Sequence, residues 1–211
     1  MPEFEIRSRE KVVFIGDSIT DCGRQLDFAP LGNGYVQLVS ALVTAKYPDR
    51  SIQWLNKGIS GETVQRLVAR WTPDVVQERP DWISIAIGIN NVASDYSANK
   101  DSKTAAEEFE ACYEKILDRA HEETSAHLIL SETFFVAHED RYRRAYDIAP
   151  YNQVIRKLAK RHKTLLIQLE SLFRRASTKT SNSVWTTEDG VHPNMNGHAL
   201  IALGFLAKLN W

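Results

Sequence analysis

Five short apolar runs, set between longer helical patterns, constrain this chain more than any other feature. They are KVVFIG (11–16), SIQWLN (51–56), DWISIAIG (81–88), AHLILSE (126–132) and KTLLIQL (163–169). Each is brief and rich in β-branched or bulky apolar residues, as strands buried on both faces are. The segments between them repeat differently. Phe109, Cys112, Tyr113, Ile116, Leu117 and Ala120 fall at i, i+3, i+4, i+7, i+8 and i+11 and make one apolar stripe. Tyr151, Val154, Ile155, Leu158 and Ala159 repeat that spacing, Tyr35, Leu38, Val39, Leu42 and Val43 mark another helix, and 196–209 reads as a last one. Strands alternating with helices call for an α/β fold, a parallel sheet with helices on both faces and right-handed crossovers. Ligands of such sheets bind beyond the carboxyl ends of the strands, so the residues just after each run are where chemistry is sought.

At 211 residues, with no internal repeat, low-complexity tract or Pro/Gly-rich linker, residues 1–211 are expected to form a single domain. The net charge of −1 gives no electrostatic reason to expect a nucleic-acid or anionic-membrane partner. The longest stretch without Asp, Glu, Lys or Arg, 191–207, carries two His, two Asn and a Pro and is no membrane span. The charged start MPEFEIRSREK has no apolar core of a secretion signal. Cys22 and Cys112 are too few for a disulfide framework. These features together lead to the expectation of a cytoplasmic location.

Four segments follow strand-like runs or stand near the C-terminus with reactive side chains. In FIGDSITDCG (14–23), Gly16 permits a sharp turn and Ser18 stands at the mouth of the first strand beside a helical start. Its hydroxyl there is either exposed next to backbone N–H donors or, with Asp17, a plain helix cap. In EDGVHPNMNGH (188–198), Asp189 and His192 are three apart across Gly190. That spacing can set a carboxylate against one imidazole nitrogen and leave the other free. A serine hydroxyl needs such a base, and the base needs a partner that fixes its tautomer. In NKGISGET (56–63) and IGINNVA (87–93), the Gly58 backbone N–H and the Asn90 side-chain amide are donors suited to a developing oxyanion, while tight-turn roles for Gly58 and Gly61 and an Asx turn for Asn90 account for each residue taken singly.

Taken in order, GDSIT, the Gly in NKGISG, the G-x-N after the third run and D-G-V-H-P resemble the signature blocks of the SGNH (GDSL) hydrolase superfamily. FIGDSITDCGR, GYVQLV, NKGISGETV, ARWTPDVV and PDWISIAIGIN are similar to its acetylxylan-esterase-like branch, and the likeness spans most of 12–92 and then 185–202. The resemblance implies a three-layer α/β/α sandwich with a five-stranded parallel sheet, related to flavodoxin, and ester hydrolysis through an acyl-enzyme. It implies Ser18 as nucleophile, His192 as general base and then acid, and Asp189 orienting His192. The implied oxyanion hole comprises the N–H groups of Ser18 and Gly58 with the Asn90 amide. One departure is visible: the block commonly reads G-x-N-D, and Asn91 stands in the Asp position. The change is expected to alter local hydrogen bonding rather than abolish activity.

The residues themselves do not derive acetyl or xylan. The absence of a long apolar lid-like insertion and the polar loops favour a small acyl group. The expected substrate is a small acylated molecule, an acetylated xylo-oligosaccharide by resemblance. A general aryl or alkyl esterase or thioesterase, and a non-catalytic carbohydrate-binding protein on the same fold, are the alternatives. The loops at 91–103 and 133–147 are expected on the functional side. The second mixes Phe134, Phe135 and Tyr142 with Arg141, Arg143 and Arg144, a composition suited equally to a sugar or a subunit interface. With Trp211 at the C-terminus it supports an expected homo-oligomer. His121, His127, His138 and His162 lack metal-binding spacing, and a triad mechanism needs neither metal nor cofactor.

Overall fold

A computed structural model describes residues 3–137 and 147–211. The five runs become five strands: β1 (Lys11–Gly16), β2 (Gln53–Asn56), β3 (Trp82–Ala86), β4 (His127–Ser131) and β5 (Leu165–Ile167). They form one parallel sheet in the order β2-β1-β3-β4-β5. The α/β class and the parallel sheet thus match the sequence reading. Side chains alternate across the pleat, so β1 sends Val12 and Phe14 to one face and Val13 and Ile15 to the other, all four fully buried. Phe14 is held by the rings of Tyr35, Trp54 and Phe205 at centroid distances of 5.1–6.2 Å. Burial of such a side chain stabilises by about 1.5–3 kcal/mol.

The helices divide between the two faces. Against Val13, Ile15, Ile83 and Ile85 pack α3 (Val64–Ala69), α4 (Trp71–Asp74), α6 (Ser102–Glu123) and α7 (Ala149–Arg161). Against Val12, Phe14 and Ile129 pack α2 (Tyr35–Lys46), α8 (Leu169–Ser177) and α9 (Met195–Lys208). Two more helices, α1 (Ser18–Asp21) and α5 (Ile89–Ser97), start directly after β1 and β3. The stripe at Phe109, Tyr113, Ile116, Leu117 and Ala120 is the buried side of α6, whose first turn is capped by Asp101 accepting from the Thr104 N–H.

Two expectations shift in detail. On α2 the buried line runs through Tyr35, Val36, Val39 and Val43, and Leu42 is left 36% exposed, because the helix turns Val36 toward the sheet. The fifth run yields only three strand residues. Lys163 takes a left-handed turn at φ +53, Leu169 already begins α8, and among the described residues this edge strand pairs only with β4.

The sheet order reverses between β1 and β3, whose following connections go to different neighbours. The crevice beyond their carboxyl ends is the point at which such sheets bind ligands. Ser18 follows β1 and Asn90 follows β3 at this position.

Candidate active site

The turn out of β1 is built to present one hydroxyl. Asp17, buried, caps α1 through Oδ1, which accepts the Ile19 N–H at 3.0 Å. The helix is four residues long and ends where Cys22 adopts a left-handed conformation at φ +45. Ser18 is its first residue and stays partly exposed. Its Oγ lies 2.9 Å from His192 Nε2, across 174 positions of sequence. His192 Nδ1 lies 2.6 Å from Asp189 Oδ2. With the ring proton on Nδ1 donated to the carboxylate, Nε2 is an acceptor and the serine O–H donates to it.

Asp189 is locked by its own loop. Oδ1 accepts the N–H groups of Val191 at 2.8 Å and His192 at 2.9 Å and the Thr187 hydroxyl at 2.8 Å. Partial burial raises its carboxyl, but hydrogen bonds from the His192 ring, the two amides and Thr187 outweigh that and bring it down to about 2. The group is therefore anionic wherever the protein works, as a partner that steadies an imidazolium must be.

The loop after β2 corrects one expectation. The Gly58 N–H, expected as an oxyanion donor, is donated to Asn56 Oδ1 at 2.9 Å and is buried. One N–H serves one acceptor well, so this amide closes the turn. Glycine is required at 58 for a different reason: a Cβ there would lie 2.3 Å from the Asp21 backbone nitrogen, so the loop packs directly on α1. The neighbouring amides are also engaged, Lys57 with Phe14 O, Ile59 with Gly16 O, Ser60 with Asp21 Oδ2 and Glu62 with Ile59 O. Among the described residues the Gly61 N–H has no acceptor. Gly61 holds φ +77 in open space, flanked by Ser60, which is bonded to α1, and Glu62, which is bonded to Asn90. Gly61 is thus the loop glycine whose donor remains available. Its turn conformation was visible in the sequence, but the spare N–H depended on where every other amide went.

Asn90, on the first turn of α5, donates one Nδ2 hydrogen to the Glu62 carbonyl at 3.0 Å, which fixes the amide and leaves its second hydrogen for another acceptor. Asn91, in the position of the family Asp, is buried. Its Oδ1 accepts the Val64 N–H at 3.0 Å, as a carboxylate would, and its Nδ2 donates to Gln65 Oε1 at 2.8 Å. The departure is absorbed at the start of α3, away from Ser18.

Around the serine lie two buried titratable groups, Asp17 and His198, and the half-buried Cys22. Burial raises Asp17 to about 7 against the pull of the Ile19 amide and of His192. His198 accepts the Tyr35 N–H at Nδ1 and contacts Cys22 Sγ through Nε2 at 3.4 Å. Burial, with His192 nearby, lowers His198 to about 4, and burial with Asp21 and Asp17 pushes the Cys22 thiol up to about 12. Thiol and imidazole are therefore a neutral pair that props α1 from below. Both cysteines are free. His121 and His127 are exposed, and His162 stacks on His121 and bonds Glu114 at 2.9 Å. His138 and the Tyr142, Arg141, Arg143 and Arg144 part of the 133–147 loop lie outside the described residues. Trp211 packs on its own chain, with Lys46 Nζ 4.4 Å from its ring centroid.

A hydroxyl on a strand-end turn, in line with an imidazole and a carboxylate, is the equipment of a serine hydrolase. Residues 14–200 match the GDSL-like Lipase/Acylhydrolase family, and the chain belongs to it. It is a carboxylic ester hydrolase that works by Ser-His-Asp chemistry. A curated acetylxylan esterase from Geobacillus stearothermophilus is 36% identical over 98% of this chain and 97% of the relative. The crystal structure of Axe2, an acetylxylan esterase from that organism, superposes with a TM-score of 0.87 at 35% identity, covering 98% of this chain and 97% of that one. Structures of its catalytic mutants, in which a histidine, an aspartate or a serine is replaced by alanine, match equally well. LAE5, an alpha/beta hydrolase enzyme from the metagenome of Lake Arreo, is 30% identical with a TM-score of 0.86, over 99% of this chain and 98% of that one.

Proposed function

We propose that this esterase removes acetyl groups from acetylated xylo-oligosaccharides, with Ser18 as nucleophile, His192 as base and acid, and Asp189 as the partner of His192. Ser18 Oγ adds to the acetyl carbonyl as its proton passes to His192 Nε2. The bond from the acetyl carbon to the sugar oxygen then breaks, and His192 returns the proton to that oxygen, leaving acetyl-Ser18. Water repeats the sequence, giving its proton to His192, and acetate leaves as Ser18 is restored. Asp189 Oδ2 holds the Nδ1–H throughout and steadies the imidazolium. The oxyanion is received by the Ser18 N–H, the Gly61 N–H and Asn90 Nδ2, with Gly61 in place of Gly58. None of these steps calls for a metal or a cofactor.

The observation that carries this reading is the unbroken line from Ser18 through His192 to Asp189. The acetylxylan esterase relatives support the acetylated sugar. The proposal extends to residues 1–211 as one domain, supported by a single sheet that carries apolar cores on both faces. A cytoplasmic location is supported by two free thiols, and among the described residues no helix is long and apolar enough to cross a membrane. A homo-oligomer is supported by Leu26 and Phe28, 77% and 49% exposed in one loop, and sedimentation at several protein concentrations reads it out.

The deciding experiment compares acetate release from an acetylated xylo-oligosaccharide with hydrolysis of an aryl acetate and a longer-chain aryl ester, using Ser18→Ala as the blank. Ser18-dependent release from the sugar, with little action on the longer ester, is the expected result. Hydrolysis of the aryl esters alone would replace the sugar deacetylase with a general esterase, and inactivity on all three would overturn both.

A further inference from the structure

Arg70, at the junction of α3 and α4, lies outside the segments that supply Ser18, Gly58, Asn90 and His192, and its side chain is only 14% exposed. Its guanidinium reaches into the underside of the loops that carry the reactive groups. Nη2 donates to the Gly16 carbonyl at 3.2 Å, at the end of β1 two residues before Ser18. Nη1 donates to the Lys57 carbonyl at 2.7 Å, at the exit of β2, and to Asp74 Oδ2 at 2.7 Å. Nε donates to the carboxylate of Glu62, which is buried and 4% exposed. The Glu62 carbonyl is the acceptor that fixes Asn90.

We propose that Arg70 is a positioning residue for the oxyanion hole: through Gly16, Lys57 and Glu62 it sets the relative places of the Ser18 amide, the Gly61 amide and the Asn90 side chain. The inference rests on the hydrolase reading of those three donors. They project from three separate segments, and nothing in local chain geometry holds three segments in register. A planar cation with donors in fixed, divergent directions does, because each bond it makes restricts the others. Lysine offers one ammonium on a flexible stem and satisfies at most part of this set. The buried ion pair with Glu62 costs desolvation that a purely apolar filling would avoid. Its bonds to the exits of β1 and β2, with the Glu62 carbonyl carrying the link on to Asn90, are what a preorganised site requires, since donors must already face the oxyanion when charge develops. Displacement of donors by a fraction of an ångström to an ångström reduces turnover by up to about a hundredfold while leaving ground-state binding largely intact.

The test uses Arg70→Lys, Asn90→Ala and the double variant on an aryl acetate, with thermal unfolding to verify folding. Phosphonylation of Ser18 by an aryl phosphonate, whose phosphoryl oxygen occupies the hole, is measured alongside. Arg70→Lys is expected to lower kcat by roughly 10- to 100-fold with KM within about threefold of the parent, and to slow phosphonylation to a similar degree. The double variant is expected to lose far less than the product of the single losses, because both changes act on the same donors. A kcat within about threefold of the parent, a loss confined to KM, or losses that multiply would each overturn the proposal. Should Arg70→Lys not fold, Glu62→Gln, which keeps the bond geometry but weakens the pair, serves in its place with a smaller expected loss and the same non-additivity. An unchanged kcat in Asn90→Ala would instead indict the oxyanion-hole reading. A loss there with none in Arg70→Lys would sink Arg70 alone.

Discussion

The proposed nucleophile and its proposed base are held in opposite ways. Ser18 stands on a turn supported from outside: Asn56 Nδ2 donates to the Thr20 and Leu31 carbonyls at 2.6 and 2.7 Å, Gly58 packs on Asp21, and His198 and Cys22 lie underneath. Asp189 and His192 lie in an exposed loop that is sewn mainly to itself, through Thr187, Val191 and the His192 amide. Electrostatics follow the same division. Burial raises Asp17 and lowers His198, whereas hydrogen bonds bring Asp189 down. One side of the site is part of the folding core and the other is a local structure resting on it. Damage to the first is therefore expected to cost stability as well as rate, and damage to the second mainly rate.

Ser18→Ala separates chemistry from support most cleanly. It is expected to lower kcat by roughly a thousandfold or more with the melting temperature nearly unchanged, since the hydroxyl is a partly exposed group. Steady-state kinetics beside a thermal melt check it, and a tenth of parental turnover would remove Ser18 from the mechanism.

Asn56→Ala breaks the supported side. It leaves the Gly58 N–H and the Thr20 and Leu31 carbonyls without their partner, at a cost of roughly 2–4 kcal/mol in denaturant unfolding. A loss below about 1 kcal/mol would mean that water replaces the amide and that the turn is not core-supported.

The buried pair beneath the serine predicts a pH effect of definite sign. His198 sits at about 4 in the folded chain against 6.5 ordinarily, so between those values the unfolded chain binds a proton that the folded chain does not, and stability falls as pH falls. Asp17 sits at about 7 against 3.8, so across that window the folded chain keeps a proton that the unfolded chain releases, and stability falls as pH rises. The two oppose each other from pH 4 to 6.5. Asp17→Asn, which retains a capping side chain, removes one of them, and its stability is expected to fall with acid more steeply than the parent's, by up to roughly 3 kcal/mol across the window. Parallel curves for parent and variant would show that Asp17 is not protonated in the folded protein.

Thr187→Ala has the smallest expected effect. It removes one of several hydrogen bonds to Asp189 in an exposed loop, and the expected stability change is below about 1 kcal/mol. A loss as large as that of Asn56→Ala would erase the contrast between the two sides.

Much of this was legible in one dimension because the relevant physics is local. Apolar runs mark strands, since a sheet covered on both faces has no polar side. The stripe from Phe109 to Ala120 marks α6, since the helical period is fixed. Ser18, Asp189 and His192 stood out because the turns that expose them are short and carry their own glycines. Gly58 misled for the same reason: a glycine in the right loop looked like a donor, and only the bond to Asn56 and the closeness of Asp21 show that it serves packing. Leu42 fitted the α2 stripe, but which side of that helix meets the sheet depends on how its axis is set by neighbours.

The sequence by itself made the parallel α/β architecture legible, because apolar runs and helical stripes are local periodicities. It brought Ser18, His192 and Asp189 forward through short motifs and their resemblance to family blocks, although the contact joining Ser18 to His192 spans 174 positions. Tertiary structure alone decided which loop amide is left unpaired, where Asn91 makes its bonds, and that Arg70 lies under the ends of β1 and β2. Those outcomes depend on competition among donors and acceptors that are far apart in the chain. Such competition is resolved only when all of them are brought into one place.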